Sequence, residues 1–373
     1  MKIVFMGTPD FARSALEKII EAGHDVTLVV TQPDKPKGRS GQLQISEVKA
    51  CALEHDILVF QPVRIKLPEN VAELKKYEAD IYVVAAFGQI LSREILDIPR
   101  FGCVNIHASL LPKLRGAAPI QQSIIDGEKT TGVTIMQMAE GMDTGDILLQ
   151  REILIDDEDT GGSLFDKLSV LGGELIVEAL PKIERGELTP VPQDEEAATK
   201  CGKMSKDMGE IDFGKSAIAI HNLVRGLNPW PSAYTHLFGK MLKIWRTEPL
   251  DPSELNALLD NSGNSDKNNS EKKPKDGSEN NVPNSKAAGI DNNAQSIKAA
   301  GIDNNVQSIK AADIDNKAFR PGTVIAVLKD SIIVSTGKGF LKVLEVQLEG
   351  KKRMEVKAFL LGNKLTEGIV LGK

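Results

Sequence analysis

Asn105, His107 and Asp143 are the residues whose types and spacing suggest chemistry. Asn105 and His107 stand two positions apart at the end of a short apolar run, so on a β-strand their side chains point to the same side. An amide and an imidazole placed next to each other can both donate hydrogen bonds to one developing oxyanion. Asp143 follows a later apolar run in a glycine-rich turn, where a carboxylate could hold the histidine tautomer and accept a proton, directly or through water.

No serine or cysteine stands out as a nucleophile in this set, which favours direct attack by a substrate amine over a covalent enzyme intermediate. The reaction class that follows is acyl transfer through a tetrahedral intermediate. A structural role stays open for each residue, because a lone histidine at a strand end is often a satisfied core group. An aspartate between glycines is also ordinary turn chemistry. The residues alone therefore lead to an α/β enzyme with a polar site at its strand ends.

Alternating strand and helix patterns in the first half of the chain supply the scaffold for this site. Short apolar runs predict strands at residues 2–6, 26–30, 58–60, 81–86, 104–107, 133–138 and 147–155. Helical spacing predicts helices at residues 10–22, 48–54, 68–77 and 119–125. Such alternation implies a parallel sheet covered on both faces, with ligands at the carboxyl ends of its strands. We therefore expect the chemistry directly after Ala86, His107 and Met138.

The glycine loop after the first strand does not bind a dinucleotide. Gly7-Thr8-Pro9 has the position of such a loop but lacks the G-x-G-x-x-G spacing. A Rossmann NAD site is therefore excluded.

Beyond the α/β pattern, the chain changes character. A polar linker is predicted at residues 186–205, between a first domain at 1–185 and a second at 206–373. Short strands separated by glycine turns in the second domain predict a small barrel. Residues 261–317 lack aromatic side chains, are rich in asparagine and repeat a short unit beginning Ala287-Ala288-Gly289-Ile290 every 12 residues. We expect this segment to be a low-complexity insertion in a surface loop of the barrel.

Charge and cysteine content limit the partners and the compartment. The net charge is −6, yet residues 1–199 carry −12, whereas 200–250 carry +4 and 319–373 carry +5. The two basic blocks indicate either an anionic partner for the second domain or a solvated surface. The three cysteines lie far apart, which favours a reducing cytosol and no zinc site. No apolar run approaches the roughly 20 residues of a membrane helix.

Several segments of the chain resemble the formyltransferases that use 10-formyltetrahydrofolate. The resemblance begins with Asn105-Ile106-His107, Ser109-Leu110-Leu111-Pro112 and Asp143. It is closest to the family that acts on methionyl initiator tRNA. The segments that carry this closer match are Gly7-Thr8-Pro9-Asp10-Phe11-Ala12, Thr31-Gln32-Pro33-Asp34, Arg115-Gly116-Ala117-Ala118-Pro119-Ile120, Thr131-Gly132-Val133-Thr134 and Asn228-Pro229-Trp230-Pro231. It implies a Rossmann-like parallel-sheet formyltransferase domain followed by an all-β, OB-like barrel that binds tRNA.

The resemblance also implies roles for single residues. Asn105 and a protonated His107 would stabilise the oxyanion, and Asp143 would manage the proton through water. The co-substrate 10-formyltetrahydrofolate would be bound, with no metal, by three loops around this site. Their residues are Phe87, Gly88, Gln89, Ile90, Leu91, Ser109, Leu110, Leu111, Pro112, Ala139 and Glu140.

Five cations are implied as contacts for methionyl initiator tRNA, namely Lys35, Lys37, Arg39, Lys203 and Lys206. Glycine and cations together suit a phosphate backbone. The loop departs from the family pattern at Ser40-Gly41-Gln42, where relatives usually carry two lysines, so weaker binding of tRNA is expected. The resemblance implies a cytoplasmic monomer that does not enter the membrane.

Three alternatives share parts of this pattern. A formyltransferase acting on a sugar nucleotide has the same catalytic signature but usually lacks the Asn228-Pro229-Trp230-Pro231 segment. A 10-formyltetrahydrofolate hydrolase would use water in place of the amine. A tRNA-binding protein without catalysis would bind but not turn over.

Overall fold

The structure is a computed structural model, and it describes residues 1–37, 42–265 and 319–372. These residues form two compact units. The first takes residues 1–211, 218–235 and 243–246, and the second takes the rest of the described chain. The predicted domain boundaries at residues 185 and 205 stay a prediction. Of the predicted insertion 261–317, only residues 261–265 lie within the described chain, at the end of a helix.

The elements up to residue 226 build the site. In chain order, the strands are β1 (Lys2–Gly7), β2 (Asp25–Val30), β3 (Lys35–Lys37), β4 (Gln42–Gln44), β5 (Val59–Phe60), β6 (Ile81–Ala85), β7 (Cys103–His107), β8 (Arg115–Gly116), β9 (Thr130–Gln137), β10 (Ile147–Leu154) and β11 (Lys200–Cys201). The helices are α1 (Asp10–Glu21), α2 (Glu47–Glu54), α3 (Pro68–Leu74), α4 (Arg93–Leu96), α5 (Pro119–Ile125), α6 (Gly161–Glu184) and α7 (Ala217–Gly226), with a 3₁₀ turn at Lys206–Gly209.

The main sheet has seven strands in the order β10-β9-β7-β6-β1-β2-β5. The five strands from β7 to β5 in this order are parallel, as predicted. At the other edge the sheet is antiparallel, which the sequence did not predict, since β9 runs antiparallel to β7 and β10 runs antiparallel to β9. The connection between β9 and β10, residues 138–146, contains no helix and is too short for a crossover, so these two strands must pair antiparallel.

Helices cover both faces of this sheet because its strands are apolar on both sides. On one face, α1 and α6 pack over a core that includes Phe5, Val83 and Ile106. α1 buries Phe11, Ala12, Ala15, Leu16 and Ile19, a stripe at helical spacing. The middle of α6 comes close to the sheet because it carries glycine, and a Cβ at Gly172 would stand 3.0 Å from Ile106 Cγ2. α6 therefore packs directly on the strand that carries Asn105 and His107.

The later part of the chain forms a second sheet, as predicted for an all-β domain. Its elements are β12 (Ala233–Leu237), β13 (Lys240–Leu250), α8 (Pro252–Ser265), β14 (Val324–Val327), β15 (Ile332–Ser335), β16 (Phe340–Leu348), β17 (Met354–Glu355) and α9 (Val356–Gly362). The strand order is β12-β13-β16-β15-β14, with β17 on β16, and the last hairpins are antiparallel. An α/β domain followed by an all-β domain is thus confirmed. Within the described residues, no helix is both long and apolar enough to cross a membrane.

Candidate active site

β7 places Asn105 and His107 on one side of the sheet. Ile106 between them faces the opposite core and is 2% exposed, which fixes the alternation and hence the direction of its neighbours. Asn105 is half-buried. Among the described residues, its side-chain amide has no hydrogen-bond partner, so both its donors and its acceptor are available to a substrate.

His107 is buried, and its two ring nitrogens have different surroundings. Nε2 lies 3.1 Å from the carbonyl oxygen of Leu114. A carbonyl can only accept, so Nε2 carries the hydrogen and Nδ1 is the basic nitrogen of the neutral ring. Nδ1 lies 3.7 Å from Oδ2 of Asp143. Burial lowers the pKa of His107, while the carboxylate of Asp143 and the Leu114 carbonyl act in the opposite direction. Burial therefore favours the neutral ring, whereas the resemblance implies a protonated form during the reaction.

The Leu114 peptide that fixes this tautomer is itself held on both sides. Leu114 has a positive φ of 59°. Its N–H donates to Thr199 Oγ1 at 2.8 Å, and its carbonyl also accepts from the Cys201 thiol, with Sγ 3.4 Å away. Residues 199–201, in the segment predicted to be a linker, are therefore part of the support for His107.

Asp143 reaches His107 by a different route from the one the sequence suggested. Because β9 is antiparallel, its last residue, Gln137, is paired with Val104 and lies at the start of β7. The β9–β10 loop, residues 138–146, must return along the sheet by about three residues, roughly 10 Å, to bring Asp143 beside His107. Asp143 has a φ of 53° at this turn, a left-handed conformation that aspartate tolerates better than most residues.

The backbone N–H of Gly116 holds the Asp143 side chain in place by a hydrogen bond. Its N–H donates to Asp143 Oδ2 at 2.9 Å. Gly116 has a φ of 129° and pairs in β8 with Cys201 of β11. A Cβ at this position would overlap the Cys201 carbonyl oxygen, so only glycine allows this approach. The side chain of Asp143 is therefore fixed by a backbone group on one side and faces His107 on the other.

A buried arginine next to Gly116 connects the β9–β10 loop to the predicted linker. Arg115 is 4% exposed and makes a two-point contact with the carboxylate of Glu195, at 2.8 and 3.0 Å. This contact raises the pKa of Arg115 and lowers that of Glu195. Arg115 Nε also donates to Gln193 Oε1 at 2.9 Å. The Gln193 amide in turn donates to the carbonyls of Asp143 and Gly145.

Thr134 and Gln150 hold the loop that follows β7. Gln150 Nε2 donates to Thr134 Oγ1 and to the Leu111 carbonyl, both at 2.8 Å. Thr134 Oγ1 donates to the Ser109 carbonyl at 2.6 Å and accepts from the Leu111 N–H. Thr134 and Gln150 face each other across the antiparallel pair of β9 and β10. Because the sequence predicted parallel strands, it could not identify this cross-strand pair.

Comparisons with known proteins identify the family to which the chain is similar. A family described as "Formyl transferase" matches residues 1–180, and "Formyl transferase, C-terminal domain" matches residues 203–271 and 285–364. The methionyl-tRNA formyltransferase of Agathobacter rectalis is 45% identical, over 99% of this chain and 98% of its own length. That of Lachnospira eligens is 44% identical over the full length of both.

The chain belongs to the methionyl-tRNA formyltransferase family. Solved structures with a similar fold include WlaRD, a sugar 3N-formyl transferase, with a TM-score of 0.57 at 17% identity, over 94% of this chain and 99% of that one. HypX from Aquifex aeolicus gives a TM-score of 0.55 at 16% identity, over 98% of this chain and 49% of HypX. At such low identity these two structures support the fold alone.

The residues that membership of the formyltransferase family suggests for folate lie in loops around β7. Phe87 and Leu91 are buried, whereas Ile90 between them is 71% exposed. The Gln89 side chain is bonded within the protein, where it accepts from the Ile65 N–H and donates to the Pro62 carbonyl. Gly88 has a positive φ of 78° and shapes the turn.

The other two predicted folate loops differ in exposure. Ser109 is 1% exposed and its hydroxyl donates to the Lys113 carbonyl, so it supports the loop from within. Leu110 and Pro112 are half-buried and Leu111 is buried. Ala139 and Glu140 are exposed, as is Met142, at 66%.

The cations suggested for a methionyl-tRNA formyltransferase fall on two parts of the described chain or outside it. Lys35 is exposed in β3, which pairs with β4 as a small antiparallel hairpin. Lys37 ends the same strand, and Arg39 lies outside the described residues. Lys203 and Lys206 are exposed after β11. Their role in tRNA binding stays a prediction.

Proposed function

We propose that the chain transfers the formyl group of 10-formyltetrahydrofolate to the amino group of methionyl initiator tRNA. The observation that carries this proposal is the unpartnered Asn105 amide beside buried His107 and partly buried Asp143, in a chain that is 45% identical to a methionyl-tRNA formyltransferase over 99% of its length. Ile90 and Met142 provide apolar surface for the folate ring system. A cytoplasmic, monomeric enzyme is the corresponding proposal for location and assembly.

Asn105 stabilises the charge that develops during transfer. When the acceptor amine attacks the formyl carbon, a C–N bond forms and the carbonyl π electrons move to oxygen. The side-chain amide of Asn105 is free to donate to that oxyanion, and strand geometry places it on the same side as His107. A preorganised donor of this kind typically contributes about 10²–10³ in rate.

His107 and Asp143 manage the proton that the amine must lose. Because Nε2 of His107 is committed to Leu114, Nδ1 is the nitrogen that can accept a proton, directly or through water. The imidazolium so formed faces the Asp143 carboxylate, which stabilises it. The proton passes to the leaving nitrogen of the folate as its bond to the formyl carbon breaks. The products are tetrahydrofolate and the N-formylated acceptor.

A buried, neutral His107 and the protonated His107 that the resemblance implies are two stages of the same reaction. The ring is neutral before attack, because burial lowers its pKa. It becomes the cation only while the oxyanion exists, when both neighbours favour positive charge. A general base that starts neutral at pH 7 is the form that the reaction requires.

The test is a formyl-transfer assay with 10-formyltetrahydrofolate and methionyl initiator tRNA. Uncharged tRNA, free methionine and an amino-sugar nucleotide serve as alternative acceptors, and a sample without acceptor detects hydrolysis. We expect transfer to the charged tRNA alone. Transfer to the sugar nucleotide, or loss of the formyl group without acceptor, would replace the proposal with one of the two enzymatic alternatives. tRNA binding without turnover would leave only a binding protein.

A further inference from the structure

We propose that Gln193 is a positioning residue for the Asp143 carboxylate, and that Arg115 sets the orientation of Gln193. The proposal rests on the proposed formyl transfer and adds a residue to it. Gln193 lies 50 positions after Asp143 in the chain, in the polar segment predicted to be a linker. The structure brings it against the inner side of the β9–β10 loop.

All hydrogen-bonding groups of the Gln193 side chain are used at this point. Nε2 donates to the Asp143 carbonyl at 2.8 Å and to the Gly145 carbonyl at 2.7 Å. Oε1 accepts from Arg115 Nε at 2.9 Å. A side-chain amide has two hydrogens on nitrogen, and both are directed to carbonyls on either side of residue 144. Gln193 therefore holds the turn at both ends.

Arg115 determines which end of the Gln193 amide faces the loop. A guanidinium has only donors, so the atom opposite Arg115 Nε must be the oxygen of the amide. The nitrogen must then face the two carbonyls. Arg115 is itself oriented by its two-point contact with Glu195, a geometry that a planar guanidinium favours. The direction of the whole chain of hydrogen bonds is thus fixed by donor and acceptor chemistry.

The turn needs this support because little else holds it from outside. Residues 139–142, which lead into Asp143, are all exposed. Asp143 adopts a positive φ of 53°, a conformation that persists only where the surroundings enforce it. If the two carbonyls lost their donor, the turn could relax, and the carboxylate would move relative to His107 Nδ1 and the Gly116 N–H. A shift of about 1 Å in a reacting group can lower a rate by about 10².

Two substitutions at Gln193 test the positioning role. Gln193→Glu keeps an acceptor for Arg115 but has no hydrogen for the carbonyls of Asp143 and Gly145. Gln193→Ala removes both contacts. We expect kcat to fall about 10- to 100-fold in both variants, with the KM for methionyl-tRNA within about twofold of wild type. Both variants leave the two carbonyls without a donor, so both should lower the thermal midpoint, and the titration of His107 separates positioning from anchoring. Gln122→Ala, which removes a surface glutamine bonded to Asp126, is the matched control and should leave kcat unchanged.

The titration of His107 gives a readout that a merely structural role would not change. The charged or titratable groups around it are Asp143, Arg115 with Glu195, and the Cys201 thiol. The Asp143 charge raises the pKa of His107 against the effect of burial. Moving the carboxylate away therefore lowers the pKa further, and the acidic limb of the kcat profile shifts to lower pH in Gln193→Ala, which adds no charge near His107. An NMR titration of the ring carbon of His107, assigned with His107→Gln, should show the same direction.

The outcomes distinguish this proposal from the proposed function. Wild-type protein that transfers no formyl group to methionyl-tRNA would refute the function, and the NMR titration would still decide the role of Gln193. Wild-type activity with full kcat in Gln193→Glu would overturn the positioning role. So would a fall in kcat that comes with lower thermal stability and an unmoved His107 titration, since that pattern describes a structural anchor.

Discussion

Replacing Asp143 by asparagine should remove most of the turnover while preserving the shape of the site. Asparagine has about the same volume as aspartate. Its side-chain oxygen can still accept from the Gly116 N–H, which lies 2.9 Å from Asp143 Oδ2 in the native protein. What it lacks is the negative charge 3.7 Å from His107 Nδ1. The variant therefore isolates the electrostatic part of the pair.

The expected loss follows from the distance. At 3.7 Å and an effective dielectric of about 20, a unit charge stabilises an imidazolium by roughly 4.5 kcal/mol. At 1.36 kcal/mol per decade of rate, this corresponds to about 10³ in kcat. General acid–base catalysis typically contributes about 10²–10⁴, so the estimate lies in the usual range.

The assay is formyl transfer at saturating concentrations of both substrates, with folate binding and thermal unfolding as separate measurements. Asp146→Asn makes the same chemical change three residues later in the loop. Asp146 contacts Gln137 through its backbone carbonyl, which the substitution leaves in place. We expect Asp146→Asn to stay within about twofold of wild type, and Asp143→Asn to bind folate normally. A kcat for Asp143→Asn within tenfold of wild type would refute the reasoning.

The pH profile provides a second signature of the same variant. The Asp143 charge raises the pKa of His107, so its removal lowers that pKa. The acidic limb of the kcat profile should therefore lie at lower pH in Asp143→Asn than in the wild type. An acidic limb displaced to higher pH would show that the Asp143 charge does not raise the pKa of His107.

Three further predictions concern the backbone, the tRNA and the repeat. Gly116→Ala should destabilise the fold by about 1–3 kcal/mol and lower kcat, because the new methyl group separates β8 from Cys201; unchanged thermal unfolding would contradict the observed geometry. Lys35→Ala should raise the KM for methionyl-tRNA with kcat unchanged and reduce the slope of log K against log salt by about 0.7–0.9, as expected for one lost phosphate contact; an unaltered slope would exclude Lys35 from the interface. Deletion of residues 261–317 should leave kcat within about twofold, because their composition offers too few apolar groups for a core; an unfolded or inactive product would show that the insertion is structural.

Local periodicity was sufficient to predict most of the first domain. The strands β1, β2, β6 and β7 and the helix α5 were predicted within about a residue of their observed bounds. Asn105 and His107 followed from the same rule, since two residues at i and i+2 of a strand share a face. These features depend only on near neighbours in the sequence, which is why the sequence contains them.

Helix α6 was not predicted, although it is 24 residues long. Gly172 and Gly173 interrupt its centre and lower its intrinsic helix propensity. The structure shows why they are there, since a Cβ at Gly172 would stand 3.0 Å from Ile106. Close packing on the sheet outweighs local preference at this position.

The arrangement around Asp143 could not be derived from local patterns. The sequence placed Asp143 beside His107 through a parallel β9, whereas β9 runs antiparallel to β7. The partners of the loop are also distant in sequence: Arg115 is separated from Gln193 and Glu195 by 78 and 80 positions. The low apolar content of residues 186–205 indicated a linker, and no periodic signal marks a glutamine that donates to two backbone carbonyls.

Gln193 lies 50 positions after Asp143 in the sequence, although the two residues are in contact. A fragment that ends soon after Asp143 therefore lacks part of the site. The N-terminal family match ends at residue 180. A polypeptide truncated there would retain β7, the β9–β10 hairpin and the pair of His107 and Asp143. It would leave Arg115 without Glu195, and the Leu114 peptide without Thr199 and Cys201. During synthesis, likewise, the reactive residues emerge from the ribosome well before the residues that lock their geometry. The last step in building the proposed catalytic centre is therefore the addition of a polar segment, most of it outside any strand, that carries none of the proposed catalytic groups.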